Sequence, residues 1–285
     1  MKILVTGGLG FIGSNLCKQL VALGHGVTCI DNLSCGTLDN KIENVKYIID
    51  DVNNIDNIFN PAVDKFDVIF HIAAVARIQI SFKLPLETYD ANTTGTFKVL
   101  EYARHTDAKV VYAGSSSRWH NPRISPYALS KFLGEEICKM YEECYGLKVQ
   151  IARFYNVYGP NEIVDGDYAA VIGIWRKQVR DGQPITIIGD GEQRRDFTHV
   201  DHIVDGLIRI METEHYIEDA WELGTGVNYS MNEVAAMFIE KFNCTTTYLP
   251  DQKGNYRITL RERDVALELL NWTPTDKLKQ YINGL

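Results

Sequence analysis

The sequence predicts an α/β protein built on a doubly wound parallel sheet, with a smaller C-terminal lobe. Three observations predict it. Apolar runs of strand length alternate with helical patterns through the first half of the chain. A glycine-rich turn joins the first such run to the first helix. After about residue 156 the alternation gives way to mixed helices, short strands and Gly/Pro loops. Alternation of this kind places helices on both faces of a parallel sheet and leaves ligands at the carboxyl ends of the strands.

The elements follow in order. Lys2-Ile3-Leu4-Val5, closed by Thr6, reads as a strand, and Gly7-Gly8-Leu9-Gly10-Phe11-Ile12-Gly13 leads from it into a helix that continues through Ser14-Asn15-Leu16-Cys17. Gly8, Gly10 and Gly13 fit G-x-G-x-x-G, and Gly7, Gly10 and Gly13 fit its longer-spaced relative. Glycines permit a tight turn and close backbone approach to a pyrophosphate, and the helix N-terminus favours the anion. A second strand over 27–30 ends at Asp31, close to the spacing of about 20 residues at which a carboxylate accepts hydrogen bonds from an adenosine ribose. No arginine follows in 32–36 to meet a 2′-phosphate, so NAD is expected rather than NADP. Further strands are predicted over 45–49, 67–70, 109–113 and 149–152, and helices over 86–104 and 126–145, where apolar residues recur at 3.6 spacing. Residues 1–155 form the expected dinucleotide-binding domain and 156–285 the substrate lobe, some segments of which pack back on the first domain. No Pro/Ser-rich linker separates them, so the active site is expected between the two.

Composition narrows the function. A chain of 285 residues with 45% apolar content can hold one α/β core and a smaller lobe. A net charge of −8 without a basic run argues against nucleic acid or an anionic membrane surface as partner. No apolar stretch approaches the roughly 20 residues of a membrane span, and Met1 opens directly on the first strand without a signal-peptide pattern. The six cysteines show no C-x-x-C pairing, as expected of reduced thiols in a cytoplasmic protein. No metal is expected: His199 and His202 flank Asp201 without an identifiable third ligand.

Tyr127 and Lys131 lie one helical turn apart, downstream of Ser115-Ser116-Ser117. On a helix, positions i and i+4 share a face, so the ammonium can lie beside the phenol. A free tyrosine titrates near pH 10, so a phenolate usable near neutrality needs a shift of roughly 3 units, about 4 kcal/mol. A lysine cation and an oxidised nicotinamide both push in that direction. The spacing is common in a chain with 15 tyrosines, so its context decides. That context is a dinucleotide-binding turn, which reads as oxidation of an alcohol.

The context is also a resemblance. The glycine turn, Asp31-Asn32-Leu33, Asp51-Val52, His71-Ile72-Ala73-Ala74, Asn92-Thr93-Thr94-Gly95-Thr96, the serine triplet and Tyr127-Ala128-Leu129-Ser130-Lys131 occur in sequence. They are followed by Arg153 to Pro160, Gly189 to Phe197 and Glu222 to Gly226. Over nearly its whole length the chain resembles the extended short-chain dehydrogenases/reductases, in the NAD-dependent nucleotide-sugar epimerase/dehydratase family. The resemblance implies a Rossmann-type sheet and a nucleotide-diphosphate sugar, of UDP type, as substrate. It implies that the turn residues Gly7, Gly10, Phe11, Ile12 and Gly13, with Asp31, Asn32, Asp51, Val52, Ala73, Ala74 and Asn92, hold NAD. Tyr127 becomes the catalytic base, Lys131 lowers its pKa and holds the nicotinamide ribose, and Ser115 hydrogen-bonds the sugar hydroxyl. Ser116 and Ser117 are alternates for Ser115, while Asn156 and Arg195 match residues that hold the diphosphate.

The implied reaction is 4-epimerisation through a transient 4-keto sugar, as in UDP-glucose 4-epimerases. Family dehydratases carry an Asp-Glu pair after the catalytic Ser/Thr, and decarboxylases a glutamate; Ser116 and Ser117 stand there instead. This favours epimerisation and leaves a 4,6-dehydratase or another 4-keto-forming enzyme of the family as the alternative. A non-catalytic NAD-sensing protein is the reading from another class, and it has no need of Ser115, Tyr127 and Lys131 together. Two departures from the family pattern stand out. The loop between Ser115 and Tyr127 is shorter than usual, with Trp119-His120 where a Tyr-Gly is common. Gln252 stands where a second diphosphate arginine is expected, leaving Lys253 or Arg257 to compensate. Arg77 and Lys83, after the fourth strand, read either as substrate contacts or as solvated loop charges. The helices over 86–104 and 126–145 commonly form a four-helix interface in the family, so a homodimer is expected; Phe97, Met140 and Tyr141 could face a partner or the parent sheet.

Overall fold

Seven parallel strands form the centre of the molecule, which a computed structural model describes over residues 1–285. They are β1 (Lys2–Thr6), β2 (Gly26–Asp31), β3 (Val45–Ile49), β4 (Val68–His71), β5 (Lys109–Ser115), β6 (Val149–Phe154) and β7 (Trp221–Leu223). Their order across the sheet is β7-β6-β5-β4-β1-β2-β3. Strand order reverses between β1 and β4, so a crevice opens outside their carboxyl ends, where such sheets bind ligands. The sheet is the Rossmann-type arrangement the sequence predicts. Both β5 and β6 run two residues beyond their predicted ends, and this extension carries Ser115 into the strand.

Alternate side chains of each strand feed opposite cores, as the two-residue period requires. On β1, Ile3 and Val5 join Leu16 and Leu20 of α1 (Phe11–Ala22) on one face, while Leu4 joins the other. That second face is covered by α2 (Gly95–Thr106) and α3 (Pro126–Tyr145), through Val99, Leu100, Ile137 and Tyr141. The first face is completed by α4 (Val200–Glu212), whose Ile203 and Leu207 pack with Trp221 and Trp272. Each fully buried aliphatic side chain stabilises the fold by about 1.5–3 kcal/mol. Residues after 156 therefore serve two structures. Some complete the sheet and its first face, and others build a separate core around Trp175, Ile187, Phe197 and Phe238.

The helix predicted over 126–145 has those bounds, because its ends are written locally. Ser125 accepts from the Ala128 N–H, Pro126 occupies the first turn, and Gly146 closes the helix at φ 66°. The helix predicted over 86–104 is interrupted. A short helix at Pro85–Tyr89 passes into a π turn at Asp90–Thr94 before α2 begins. The reason is tertiary: the Asn92 side chain accepts from Val75 N (2.7 Å) and donates to Val75 O (3.0 Å), and a π turn admits the extra residue. No helix is long and apolar enough to cross a membrane.

Candidate active site

A cleft of about 860 Å³ lies at the carboxyl ends of the strands. Its floor is the glycine turn. Gly7 has φ 73°, and a Cβ there would sit 2.9 Å from Ala73 backbone atoms; a Cβ on Gly13 would lie 2.1 Å from the Gly7 carbonyl oxygen. Only glycines close this turn. No side chain caps the start of α1 and no acidic residue occupies its first turn. Its free N–H groups and the positive end of its dipole therefore suit a pyrophosphate. Gly10, Phe11 and Ile12 line the same wall.

Asp31 ends β2 buried at the cleft margin, accepting from Leu9 N (2.9 Å) and Leu33 N (2.8 Å). These bonds fix the carboxylate where a ribose diol would reach it, and ionised oxygens retain further acceptor capacity. Asn32 donates to Asp51 at 2.7 Å, and Asp51 with Val52 lines the cleft beside it. Ala73 and Ala74 follow β4, their backbone set by Thr6, whose Oγ1 accepts from Ala73 N (3.1 Å) and meets His71 Nδ1 at 2.8 Å. Burial pushes His71 down to about 3, so it is neutral and structural. Asn92 is not brought into the cleft. Its side chain is fully buried, spent on Val75 and on Ser130 Oγ (2.9 Å), so it shapes the wall from behind.

The carboxyl end of β5 and the start of α3 bring Ser115 and Tyr127 together, hydroxyl to hydroxyl at 3.1 Å. Ser115 Oγ also accepts from Ser117 N at 3.2 Å, and Ser116 lines the cleft alongside. Lys131 faces the same corner, but its ammonium donates to Tyr112 Oη (3.0 Å) and Ala113 O (2.5 Å), not to Tyr127. Burial raises the Tyr127 phenol; the Ser115 hydrogen bond and then the Arg77 charge lower it. The expectation that Lys131 is the group that depresses Tyr127 is therefore not what the geometry gives. The i+4 relation sets a shared face, while hydrogen bonds to Tyr112 and to the Ala113 carbonyl of β5 hold the ammonium. Lys131 is itself pushed down by burial to about 8.

Behind this corner lies a cluster that the sequence reading did not identify. Glu135 accepts from Ser115 N (3.2 Å) and from the fully buried Arg153 (2.8 Å), which also pairs with Asp219 at 2.7 Å. The shortened loop folds onto this cluster: Trp119 donates to Glu222 (3.0 Å) and Tyr155 (3.1 Å), with its ring under Arg153. His120 then stacks on Tyr256, ring centroids 4.1 Å apart. The only advance signal was the Trp119-His120 pair in the shortened loop.

On the other side of the cleft stand Asn156 and Arg195. Asn156 donates to Asp196 O (3.2 Å) and Thr259 Oγ1 (2.9 Å), and Arg195 to Arg194 O (2.8 Å) and Asn255 Oδ1 (2.6 Å). Both also line an adjoining pocket of about 270 Å³, as does Gln252. Arg257 is not brought there: it is exposed and paired with Asp190 at 2.8 Å, outside the cleft lining. Arg77 is brought there, lining both cavities. His199 accepts from Asp201 N as the cap of α4, and no group of three or more His, Cys, Asp or Glu residues is arranged to hold a metal.

Comparison with known proteins agrees with this arrangement. The model of the NAD dependent epimerase/dehydratase family matches residues 3–224. A putative UDP-glucose 4-epimerase of Methanocaldococcus jannaschii is 32% identical, over 98% of this chain and 95% of its own. A UDP-N-acetyl-alpha-D-glucosaminuronate decarboxylase of Bacillus cytotoxicus is also 32% identical, over 82% and 78%. The crystal structure of a Thermotoga maritima UDP-glucose 4-epimerase with UDP-glucose superposes with a TM-score of 0.92 at 29% identity, covering 99% of this chain and 96% of the other.

Proposed function

The chain belongs to the NAD-dependent epimerase/dehydratase family, and we propose that it is a 4-epimerase of nucleotide sugars, of the UDP-glucose/UDP-galactose type. The cofactor is NAD, whose pyrophosphate fits the glycine turn and whose adenosine ribose fits Asp31. In this reading Asp51 and Val52 border the adenine, Ala73 and Ala74 flank the dinucleotide, and Lys131 holds the nicotinamide ribose. When bound, NAD supplies reversible hydride acceptance at C4 of the sugar, so no second redox substrate is consumed.

The chain's own residues do the rest. Tyr127 takes the proton of the C4 hydroxyl and later returns it, and Ser115, 3.1 Å away, orients that hydroxyl. Asn156 and Arg195 hold the diphosphate, and the adjoining pocket takes the nucleoside. A 4-keto sugar that turns over in the pocket would present its opposite face for reduction, so that C4 is inverted in the product. The single observation carrying epimerisation is the makeup of the corner. Ser115 and Tyr127 face the cleft beside Ser116 and Ser117, two hydroxyl residues at the positions where the family's dehydratases and decarboxylases carry carboxyl groups.

We further place the protein in the cytoplasm, as a homodimer paired through α2 and α3. The direct test is to incubate purified protein with UDP-, dTDP- and GDP-sugars without added reductant and identify products by NMR. A 4-epimer is expected. A 4-keto-6-deoxy sugar or a pentose as the accumulating product would sink the proposal.

A further inference from the structure

Of the thirteen arginines in the sequence, ten reach a carboxylate within salt-bridge distance. The three others are Arg77, Arg123 and Arg195, and only Arg123 is exposed. Arg77 and Arg195 are half-buried guanidinium groups without a counter-ion, and they line the same two cavities. Arg77 spends Nε on Tyr168 O (2.5 Å) and Nη1 on Ala76 O (3.4 Å), leaving Nη2 without a protein acceptor. Arg195 spends Nη1 on Arg194 O and Nη2 on Asn255 Oδ1, leaving Nε. Glu162, the carboxylate nearest in charge to Arg77, is already bound by Arg176 at 2.8 Å. No acidic residue lines the smaller pocket.

Burying a charge without a partner is costly, so two such cations at one junction point to an anion that joins them. Their position says which anion. The junction lies between a compartment walled by Trp175, Ile187, Phe197 and Met231 and the corner holding Tyr127. An elongated substrate with its base in the first and its sugar in the second places its diphosphate there. We propose that Arg77 and Arg195 together clamp the substrate diphosphate. Arg77 thereby takes over the place left by Gln252, which is neutral and lines the same junction. Lys253 and Arg257 do not fill that place. Lys253 lies over Phe82 and Arg257 is held by Asp190. This inference rests on the nucleotide-sugar reading and adds to it the source of the second cation.

Calorimetric binding of UDP, UMP and UDP-glucuronic acid to NAD-loaded protein tests it. Arg77→Ala is expected to weaken UDP by about 10- to 100-fold while changing UMP by less than about threefold. Gln252→Ala should leave both within about threefold, and Arg77→Lys, which keeps the charge but not the fork, should recover part of the loss. Arg77→Ala binding UDP as the wild type does would overturn the clamp. Equal losses for UMP and UDP would mean that Arg77 only braces the Tyr168 loop. A loss confined to UDP-glucuronic acid would assign Arg77 to a sugar carboxylate. If the wild type binds none of UDP, UMP and UDP-glucuronic acid, the UDP-sugar reading itself falls, and the clamp with it.

Discussion

Burial raises the Tyr127 phenol above its ordinary value, while the Ser115 hydrogen bond and the Arg77 charge pull it back. A base that needs its anion is thus helped by one hydrogen bond and one charge against the penalty of burial. Tyr127→Phe should lower turnover by about 10²- to 10⁴-fold, the usual scale for a positioned acid–base group, with NAD still bound. The pH profile separates Ser115 from mere packing. The active phenolate forms as pH rises through the Tyr127 pKa, so rate climbs along an alkaline-going limb. Ser115→Ala removes an influence that lowers this pKa, and the limb should move to higher pH. A profile unmoved by Ser115→Ala would show that the 3.1 Å contact does not set the phenol's acidity. Lys131, despite its i+4 position, touches Tyr112 and Ala113. Its contribution would therefore appear in cofactor binding more than in this limb.

The strand–turn–helix at the N-terminus tolerates almost no added volume. A Cβ on Gly13 would lie 2.1 Å from the Gly7 carbonyl, whereas one on Gly26 would find its nearest neighbour at 3.8 Å. Gly13→Ala should destabilise by about 1–3 kcal/mol in urea unfolding and abolish NAD titration, with Gly26→Ala as the near-neutral comparison. This element was fully legible in the sequence, because its physics is local: apolar run, glycine spacing, helix start. The same holds for α3, written by Ser125, Pro126 and Gly146. The π turn at Asp90–Thr94 was not legible, since it depends on Asn92 meeting the Val75 backbone from a distant segment. The roles of Trp119 and Arg77 stayed open for the same reason. Their partners, Glu222 and Tyr155 for one and Tyr168 for the other, are brought near only by the tertiary fold. Sequence patterns place groups on elements, and only packing decides which charges end without a counter-ion.

The whole molecule carries a net charge of −8, which opposes self-association, yet α2 and α3 present an aromatic band between them. Phe97 lies 6.2 Å from Tyr141, and Tyr141 lies 5.1 Å from Tyr145. Tyr141 and Met140 turn toward the parent core, while Phe97 and Tyr145 remain 41% and 55% exposed. A two-fold axis through such a band brings the same side chains together from both copies, which is what an isologous interface needs. If the proposed dimer is apolar in origin, salt should help it. Raising salt from about 0.01 M to about 1 M shortens the Debye length from about 30 Å to about 3 Å and screens the repulsion between two acidic chains. Sedimentation at micromolar protein should therefore show a dimer that holds or tightens with salt, and Phe97→Glu should return it to monomer without loss of fold. A species that remains monomeric across the salt range would remove the dimer. One that dissociates as salt rises would replace the aromatic band with ion pairs as its cause.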